Sequence, residues 1–151
     1  MRVSAKVDYA LRAAAELATA GGKPLKREAI ASAQGIPVPF LEQILLALKR
    51  AGIVRTRRGP EGGYWLARPA EEVTLAEVIR AVEGPLANVQ GAQPQDVPYE
   101  GSAAPLQEVW IAVRANLRAV LDAVTLADLA SGRLPGEVAA LTRDPDAWLP
   151  R

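Results

Sequence analysis

Apolar residues recur at every third or fourth position along several stretches of the chain, a spacing that predicts amphipathic helices. The most regular stretch predicts a helix over residues 38–51 and is followed by Gly52, which is expected to end it. One face of this helix is expected to lie in the core, and it is formed by Leu41, Ile44, Leu45 and Leu48. The opposite face is then left exposed.

Two helices are predicted before this one. The first begins after Ser4, a residue type that favours helix N-caps, and ends at residues 21–22, which are both glycine. The second covers residues 26–34 and leads into a short turn at Gly35 and Pro37. It is expected to bury Leu25, Ile30 and Ala33.

A β-hairpin is predicted immediately after the third helix. Two short β-type runs, at residues 53–56 and 64–66, flank a tip rich in glycine and arginine. A helix pair followed by a basic hairpin is the layout of a winged helix-turn-helix, in which the second helix of the pair enters a DNA groove. The predicted fold class is therefore mostly α, with a winged helix-turn-helix domain that carries a small two-stranded wing.

The second half of the chain is predicted to be helical as well. A capping-box pattern at residues 74–77 opens one helix, the longest helix covers residues 104–124, and a short final helix follows at residues 125–131. The long helix has an apolar stripe that the small N-terminal domain cannot fully cover, which predicts pairing with a second copy. Packing against the first helix is the alternative, and the two are compatible. The predicted dimerisation residues are Leu106, Val109, Val113, Leu117, Val120 and Val124.

These elements predict four parts of the chain. A winged helix-turn-helix domain over residues 1–84 is followed by a loop over residues 85–105, a dimerisation helix with the short final helix over residues 106–131, and a loosely attached tail over residues 132–151. The loop is a candidate region for an effector or a partner, because loops of this length are usually functional. No apolar run is long enough to span a membrane and no signal peptide is recognisable, so a cytoplasmic location is expected.

Charge and composition narrow the function. Residues 1–68 carry 12 Lys and Arg against 5 Asp and Glu, a net of +7, whereas residues 69–151 carry 6 against 12, a net of −6. A basic N-terminal half suits DNA binding, although an uneven division by chance is the simpler alternative. Cys and His are both absent, so an enzyme, a zinc site and an iron–sulfur cluster are not expected, and no cofactor is predicted.

The exposed face of the third helix carries side chains that can read DNA. Gln43 could bond an adenine edge, Glu42 could accept from cytosine and Leu46 could touch a thymine methyl group. Taken alone, the two polar residues would be ordinary surface residues and Leu46 a core residue; the basic hairpin favours DNA contact. The predicted DNA-binding residues are Lys6, Pro39, Glu42, Gln43, Leu46, Arg50, Arg55, Arg57, Arg58, Gly59, Gly62 and Gly63.

Several motifs carry a family resemblance in combination. They are Ser4-x-Lys6-x-x-Tyr9-Ala10-Leu11, FLEQIL at 40–45, LKRAGIV at 48–54, RGPxGGY at 58–64, LxxVIxAVEG at 75–84 and TLADL at 125–129. Together they resemble the Rrf-two type family of winged helix-turn-helix transcription regulators, over residues 1 to about 130.

The resemblance implies a dimeric regulator, usually a repressor, whose long helices cross at the dimer interface. It also implies a recognition helix in the major groove and a wing at the minor groove. By the matching motifs, Glu42 and Gln43 resemble base-reading positions, and Arg57 and Arg58 resemble wing contacts.

The chain departs from the family at two points. Many relatives hold an iron–sulfur cluster with three cysteines in the segment matching residues 84–105, and some use a carboxylate where this chain has Asp8. Because this chain has no cysteine, cluster sensing is not expected and Asp8 is interpreted as a solvated helix residue. Lys26 and Pro37 stand where relatives often have serine helix caps, which changes the local start of each helix.

The sequence thus predicts a sequence-specific, homodimeric regulator that represses transcription from a palindromic site in double-stranded DNA. The alternative is a regulatory module that acts through a metabolic enzyme or another protein partner and uses its winged helix as a scaffold. The acidic half and the loop over residues 85–105 motivate this alternative.

Overall fold

The computed structural model describes residues 2–150, in which seven α-helices accompany one two-stranded antiparallel sheet. The helices are α1 (Ala5–Thr19), α2 (Arg27–Gln34), α3 (Val38–Arg50), α4 (Leu75–Glu83), α5 (Leu106–Leu121), α6 (Leu126–Ser131) and α7 (Gly136–Leu141), and the strands are β1 (Val54–Arg57) and β2 (Gly63–Leu66). The predicted fold class, a mostly helical chain with a small two-stranded wing, is confirmed.

Helix α1 lies at the centre of the core, where it packs against α2, α3, α4 and α6. It begins at the predicted cap, because the Ser4 Oγ accepts a hydrogen bond from the Val7 amide at 3.1 Å. Its buried face is rich in alanine, so neighbouring helices can approach closely. The predicted core face of α3 is also confirmed, since its four apolar side chains are completely buried.

Helices α2 and α3 form the helix-turn-helix. The chain direction changes by 116° between them, within the range of such motifs, and Gly35 supplies the left-handed turn. One detail of the predicted α2 core is wrong. Ala33 is exposed and Ala31 is buried in its place, while Leu25 is half-buried and Ile30 is buried as predicted.

The hairpin is attached to the helix-turn-helix by Leu25, which lies outside both strands of the hairpin. Strands β1 and β2 pair in register along their length, and Leu25, just before α2, forms an antiparallel bridge to Tyr64 in β2. The two residues exchange both backbone hydrogen bonds, at N–O distances of 2.9 and 2.8 Å. The wing therefore cannot move without disturbing the start of α2.

Reciprocal capping boxes start α4 and α6. The Thr74 Oγ accepts from the Glu77 amide at 3.2 Å while the Glu77 carboxylate accepts from the Thr74 amide at 3.0 Å; Thr125 and Asp128 make the same pair of bonds. Arg68 also donates to both oxygens of Glu77, at 3.0 and 3.2 Å. The bonds to Arg68 and then to the Thr74 backbone lower the pKa of Glu77, against the opposing effect of its burial.

The chain returns to the core after α5. Val124 is 2% exposed, and its carbonyl oxygen accepts from the Leu75 amide at 3.0 Å. The Leu126 amide donates to the Val73 carbonyl at 2.9 Å, and the Leu126 side chain is fully buried. Helix α6 thus packs in the core of the winged domain, against α1.

The tail contains a further helix, so α6 is not the final one. Helix α7 buries Val138, whereas the side chains of Leu141 and Trp148 are largely exposed. Across residues 2–150, no single helix has the length and apolar character needed to cross a membrane; α2 and α3 meet that criterion only as a sharply bent pair.

Candidate nucleic-acid interface

One face of α3 is open to solvent along its whole length. Its residues Pro39, Glu42, Gln43, Leu46 and Arg50 are all exposed, as predicted. Leu46 has 46% of its surface exposed, so within this chain it is not a core residue. The buried opposite face fixes the orientation of the helix. The exposed face combines the apolar side chains of Pro39 and Leu46 with polar ones, which suits a DNA groove.

The start of α3 is held against α1 by aromatic contacts that the sequence analysis missed. The rings of Tyr9 and Phe40 meet edge to face, with centroids 5.9 Å apart and planes at 80°. The Arg12 guanidinium lies 4.9 Å from the centre of the Tyr9 ring, donates to the Gln34 carbonyl at 2.7 Å and pairs with Asp8 at 3.0 Å. Asp8 therefore has a structural partner on its own helix.

Lys6 lies one helical turn before Tyr9 and is half-buried. Residues three apart in a helix share a face, so Lys6 is on the side of α1 that meets the start of α3. This location agrees with the predicted reach towards a phosphate.

The wing presents three exposed arginines. Arg55 and Arg57 are two residues apart in β1 and therefore point to the same side of the hairpin, and Arg58 follows at the tip. These three side chains form no ion pair within residues 2–150. Their charge is thus available to an anionic partner such as a phosphate.

The three predicted contact glycines of the wing differ in their surroundings. Gly59 is exposed, but Gly62 and Gly63 are buried. A Cβ atom at Gly62 would lie 2.0 Å from the Arg57 carbonyl oxygen, and one at Gly63 would lie 2.6 Å from that of Leu25. Gly62 and Gly63 thus let the hairpin fold upon itself and upon Leu25, and their predicted contact with DNA stays a prediction.

Two basic residues at the start of α2 connect the wing with the recognition helix. Lys26 donates to the Gly59 carbonyl at the wing tip at 2.6 Å, and the neighbouring Arg27 pairs with Glu42 on the outward face of α3. The wing tip and the outward face of α3 therefore both lie next to the start of α2. Neither residue was predicted to take part in this surface, since contacts between long exposed side chains leave no periodic signal in the sequence.

Arg27 is bound by two carboxylates. Its Nε donates to Glu28 at 2.8 Å and its Nη1 donates to Glu42. The hydrogen bond to Glu28, followed by the charge of Glu42, raises the pKa of Arg27, and the same bond lowers the pKa of Glu28. The guanidinium thus carries its charge throughout the ordinary pH range.

Helix α5 forms a second candidate interface. It contains no buried residue, and Leu106 and Val109 are 39% and 49% exposed. The predicted stripe is shorter than expected, because α5 ends at Leu121 and Val124 is buried in the core of the same chain. Val124 is therefore removed from the predicted dimerisation surface, while Val113, Leu117 and Val120 are half-buried on α5.

The segment over residues 85–105 is fastened to α5 by polar side chains. The Gln107 side-chain amide points at three backbone carbonyls of this segment, the nearest being that of Gln95 at 3.2 Å. Arg114 donates to the side chains of Gln93 and Gln95, at 3.2 and 2.8 Å. A cleft of about 650 Å³ lies between α5, the start of this segment and the N-terminal residues. Leu117 lines it, so part of the stripe faces its own chain.

The side chains present do not suit a cysteine-held iron–sulfur cluster. The chain contains neither Cys nor His, which are the usual ligands of such clusters. Within residues 2–150, no three acidic side chains converge in a way that could hold a metal ion.

Comparisons with known proteins agree with this geometry. The Rrf2 family model, described as "Iron-dependent Transcriptional regulator", matches residues 3–132. Rv1287 of Mycobacterium tuberculosis, described as an HTH-type transcriptional regulator, is 50% identical over 145 residues, which cover 95% of this chain and 90% of the relative. The HTH-type transcriptional regulator CymR of Bacillus subtilis is 35% identical over 132 residues, which cover 87% of this chain and 91% of CymR.

Solved structures show the same architecture. CymR (YrzC), described as the global cysteine regulator of B. subtilis, superposes with a TM-score of 0.73 at 34% identity and covers 87% of this chain and 98% of CymR. IscR of T. potens superposes with a TM-score of 0.69 at 30% identity and covers 100% of this chain and 93% of IscR.

Proposed function

Because the chain belongs to the Rrf2 family of HTH-type transcriptional regulators, we propose that it binds a pseudo-palindromic site in double-stranded DNA as a homodimer and represses transcription there. The family is one of DNA-binding transcription regulators rather than enzymes. Our proposal adds three features to this family assignment: the pseudo-palindromic DNA site, the homodimer and repression of transcription.

One observation carries the proposal. Lys26 and Arg27, adjacent at the start of α2, contact the wing tip and the outward face of α3 respectively. The candidate base-reading side chains and the wing arginines are therefore neighbours on one exposed surface. In winged helix-turn-helix proteins this arrangement inserts a helix into the major groove and sets the wing beside it.

Individual roles follow from the chemistry of the exposed side chains. Gln43 can form two hydrogen bonds with adenine, Glu42 can accept from the cytosine amine, and Leu46 can contact the thymine methyl group. Arg57 and Arg58 are suited to phosphates, which fix position without reading sequence.

The exposure of α5 supports the homodimer. Helix α5 has no fully buried side chain and leaves Leu106 and Val109 exposed within one chain, and a second copy would cover these two residues. Two recognition helices related by a two-fold axis would then read half-sites about 34–36 Å apart, or a multiple of that spacing.

Binding measured against ionic strength tests the proposed surface. If a dimer neutralises roughly 6 to 10 phosphates, the logarithm of the affinity should fall against the logarithm of the salt concentration with a slope of about −5 to −9. Fluorescence anisotropy with a labelled duplex gives this slope. A slope near zero would contradict the proposal, since the wing arginines would then lie outside the bound surface.

We also propose that DNA binding by this chain does not depend on an iron–sulfur cluster. The lack of Cys and His supports this, as does the fastening of residues 85–105 by Gln107 and Arg114. After anaerobic incubation with iron and sulfide, the protein should remain colourless and bind the same duplex with unchanged affinity. A visible absorption band together with altered affinity would contradict this.

A further inference from the structure

The contact between Arg27 and Glu42 joins the two helices of the helix-turn-helix at the candidate DNA surface. Arg27 is the first residue of α2, and Glu42 lies on the outward face of α3. The Arg27 Nη1 donates to the Glu42 Oε1, and the side chains are 41% and 48% exposed. The pair is thus accessible to a bound duplex.

The stability of the fold does not account for this pair. A cation at the first residue of a helix is opposed by the positive end of the helix dipole, so Arg27 does not stabilise α2 through its charge. Exposed ion pairs contribute little to folding in general. The position of the Glu42 carboxylate is the property that the contact controls.

A carboxylate on a groove-facing helix has a particular difficulty. The phosphates of DNA make the groove strongly negative, so a free Glu42 would be repelled and would turn away from the bases. Arg27 offsets this charge and engages Oε1, whereas no hydrogen bond within residues 2–150 engages Oε2. Oε2 is therefore left to accept from a base amine.

We propose that Arg27 is a positioning residue for sequence specificity, which holds the Glu42 carboxylate so that its free oxygen accepts a hydrogen bond from the exocyclic amine of one cytosine in each half-site. This inference rests on the proposed DNA-binding function. It assigns to Arg27 an effect on base preference, in contrast to the uniform effect of a phosphate contact.

Binding profiles of matched variants test this role. Affinity would be measured for the wild type and each variant on duplexes that carry all four base pairs at every half-site position. Glu42→Gln first identifies the position that Glu42 reads. Arg27→Met, which keeps the apolar stem and removes the charge, should reduce the preference at that same position by roughly fivefold or more and leave the other positions unchanged.

Further variants test whether Arg27 acts through Glu42 or independently of it. In the Glu42→Gln background, Arg27→Met should cause no additional loss of preference. Arg27→Lys, which retains a cation, should restore part of it. Glu28→Gln removes the other carboxylate bound to Arg27 and serves as the matched control, because it should leave base preference unchanged.

Three outcomes would overturn the inference: Arg27→Met weakening binding to all sequences equally, Arg27→Met having no effect, or Glu42→Gln altering no base position. Each of these leaves the proposed function intact if the wild type still selects a sequence. A wild-type protein without base preference at any position would contradict the proposed function itself. Unchanged circular dichroism spectra would exclude misfolding as the cause, as expected for exposed side chains.

Discussion

Leu25 and Tyr64 exchange both backbone hydrogen bonds although they are 39 residues apart in the chain. Through this contact Leu25, just before α2, pairs with strand β2 of the wing on the side away from β1. The position of the wing relative to the helix-turn-helix is therefore fixed by these backbone hydrogen bonds and by the hydrogen bond from the Lys26 side chain to the Gly59 carbonyl.

Gly63→Ala should destabilise the protein, because the backbone at Gly63 has φ of +148° and the added Cβ would lie 2.6 Å from the Leu25 carbonyl oxygen. We expect a loss of about 1–3 kcal/mol in the free energy of unfolding, measured by urea denaturation. Gly136→Ala is the control, since a Cβ there meets no atom within 4 Å. Equal stability of the Gly63 variant and the wild type would contradict this account of the wing.

The faces of α3 could be predicted from the sequence, whereas the packing of the wing glycines could not. The exposed and buried faces of α3 follow from a local period of 3.6 residues, and they were predicted correctly. The burial of Gly63 depends on Leu25, which is distant in sequence, so the local pattern could not reveal it.

Two further differences between the predictions and the structure also arise from contacts between distant parts of the chain. The apolar spacing of α5 continues to Val124, but the helix ends at Leu121 because the chain turns to bond with Leu75 and Val73. Spacing alone does not reveal where such a long-range interaction ends a helix. The roles of Lys26 and Arg27 were missed because they depend on how α2 is oriented towards the wing and α3.

Removal of the wing arginines should weaken binding without changing specificity. Arg57→Ala with Arg58→Ala removes exposed charge at the tip, so affinity for all duplexes should fall alike. The salt slope should become shallower by about 1 for each phosphate that the variant no longer neutralises. Arg133→Ala with Arg143→Ala, which also removes two exposed arginines, is the control for net charge. A changed base preference in the double variant would show that these arginines read bases.

Gln43→Ala should change base specificity and leave the salt dependence of binding unchanged. A glutamine that bonds an adenine edge discriminates by about 1–3 kcal/mol against other bases, so preference at one half-site position should disappear while the salt slope stays the same. Binding profiles over single base changes measure this. Unaltered selectivity would mean that the outward face of α3 meets DNA in another register.

The Glu77 carboxylate should make stability depend on pH. Its pKa is lowered from the ordinary value of 4.5, chiefly by Arg68, so its contribution is present above that value and is lost as the pH falls through the lower folded-state pKa. Glu77→Gln should therefore be less stable than the wild type near neutral pH, and the difference should shrink in acid. Glutamine keeps the capping geometry, so the comparison isolates the charge.

Urea denaturation at several pH values measures this effect. Glu137→Gln, in the exposed first turn of α7, is the control and should run parallel to the wild type. A difference between wild type and Glu77→Gln that does not vary with pH would contradict the role given to Arg68.

Val109→Glu should disrupt the homodimer while leaving the monomer folded, because this side chain is 49% exposed within one chain. A charge in the centre of an apolar interface should cost about 2 kcal/mol or more, roughly 30-fold in the dimer dissociation constant. Analytical ultracentrifugation measures the change. Ala115→Glu, on another exposed side of α5, should have little effect; similar dissociation of both variants would argue against the predicted stripe.

In-vitro selection of genomic DNA fragments by the purified protein tests whether the chain reads a specific DNA sequence as a dimer. We expect enrichment of one pseudo-palindromic sequence whose half-sites lie about one helical turn, or a multiple of it, apart. Recovery of fragments that share no sequence would contradict it, since the exposed face of α3 would then not read bases.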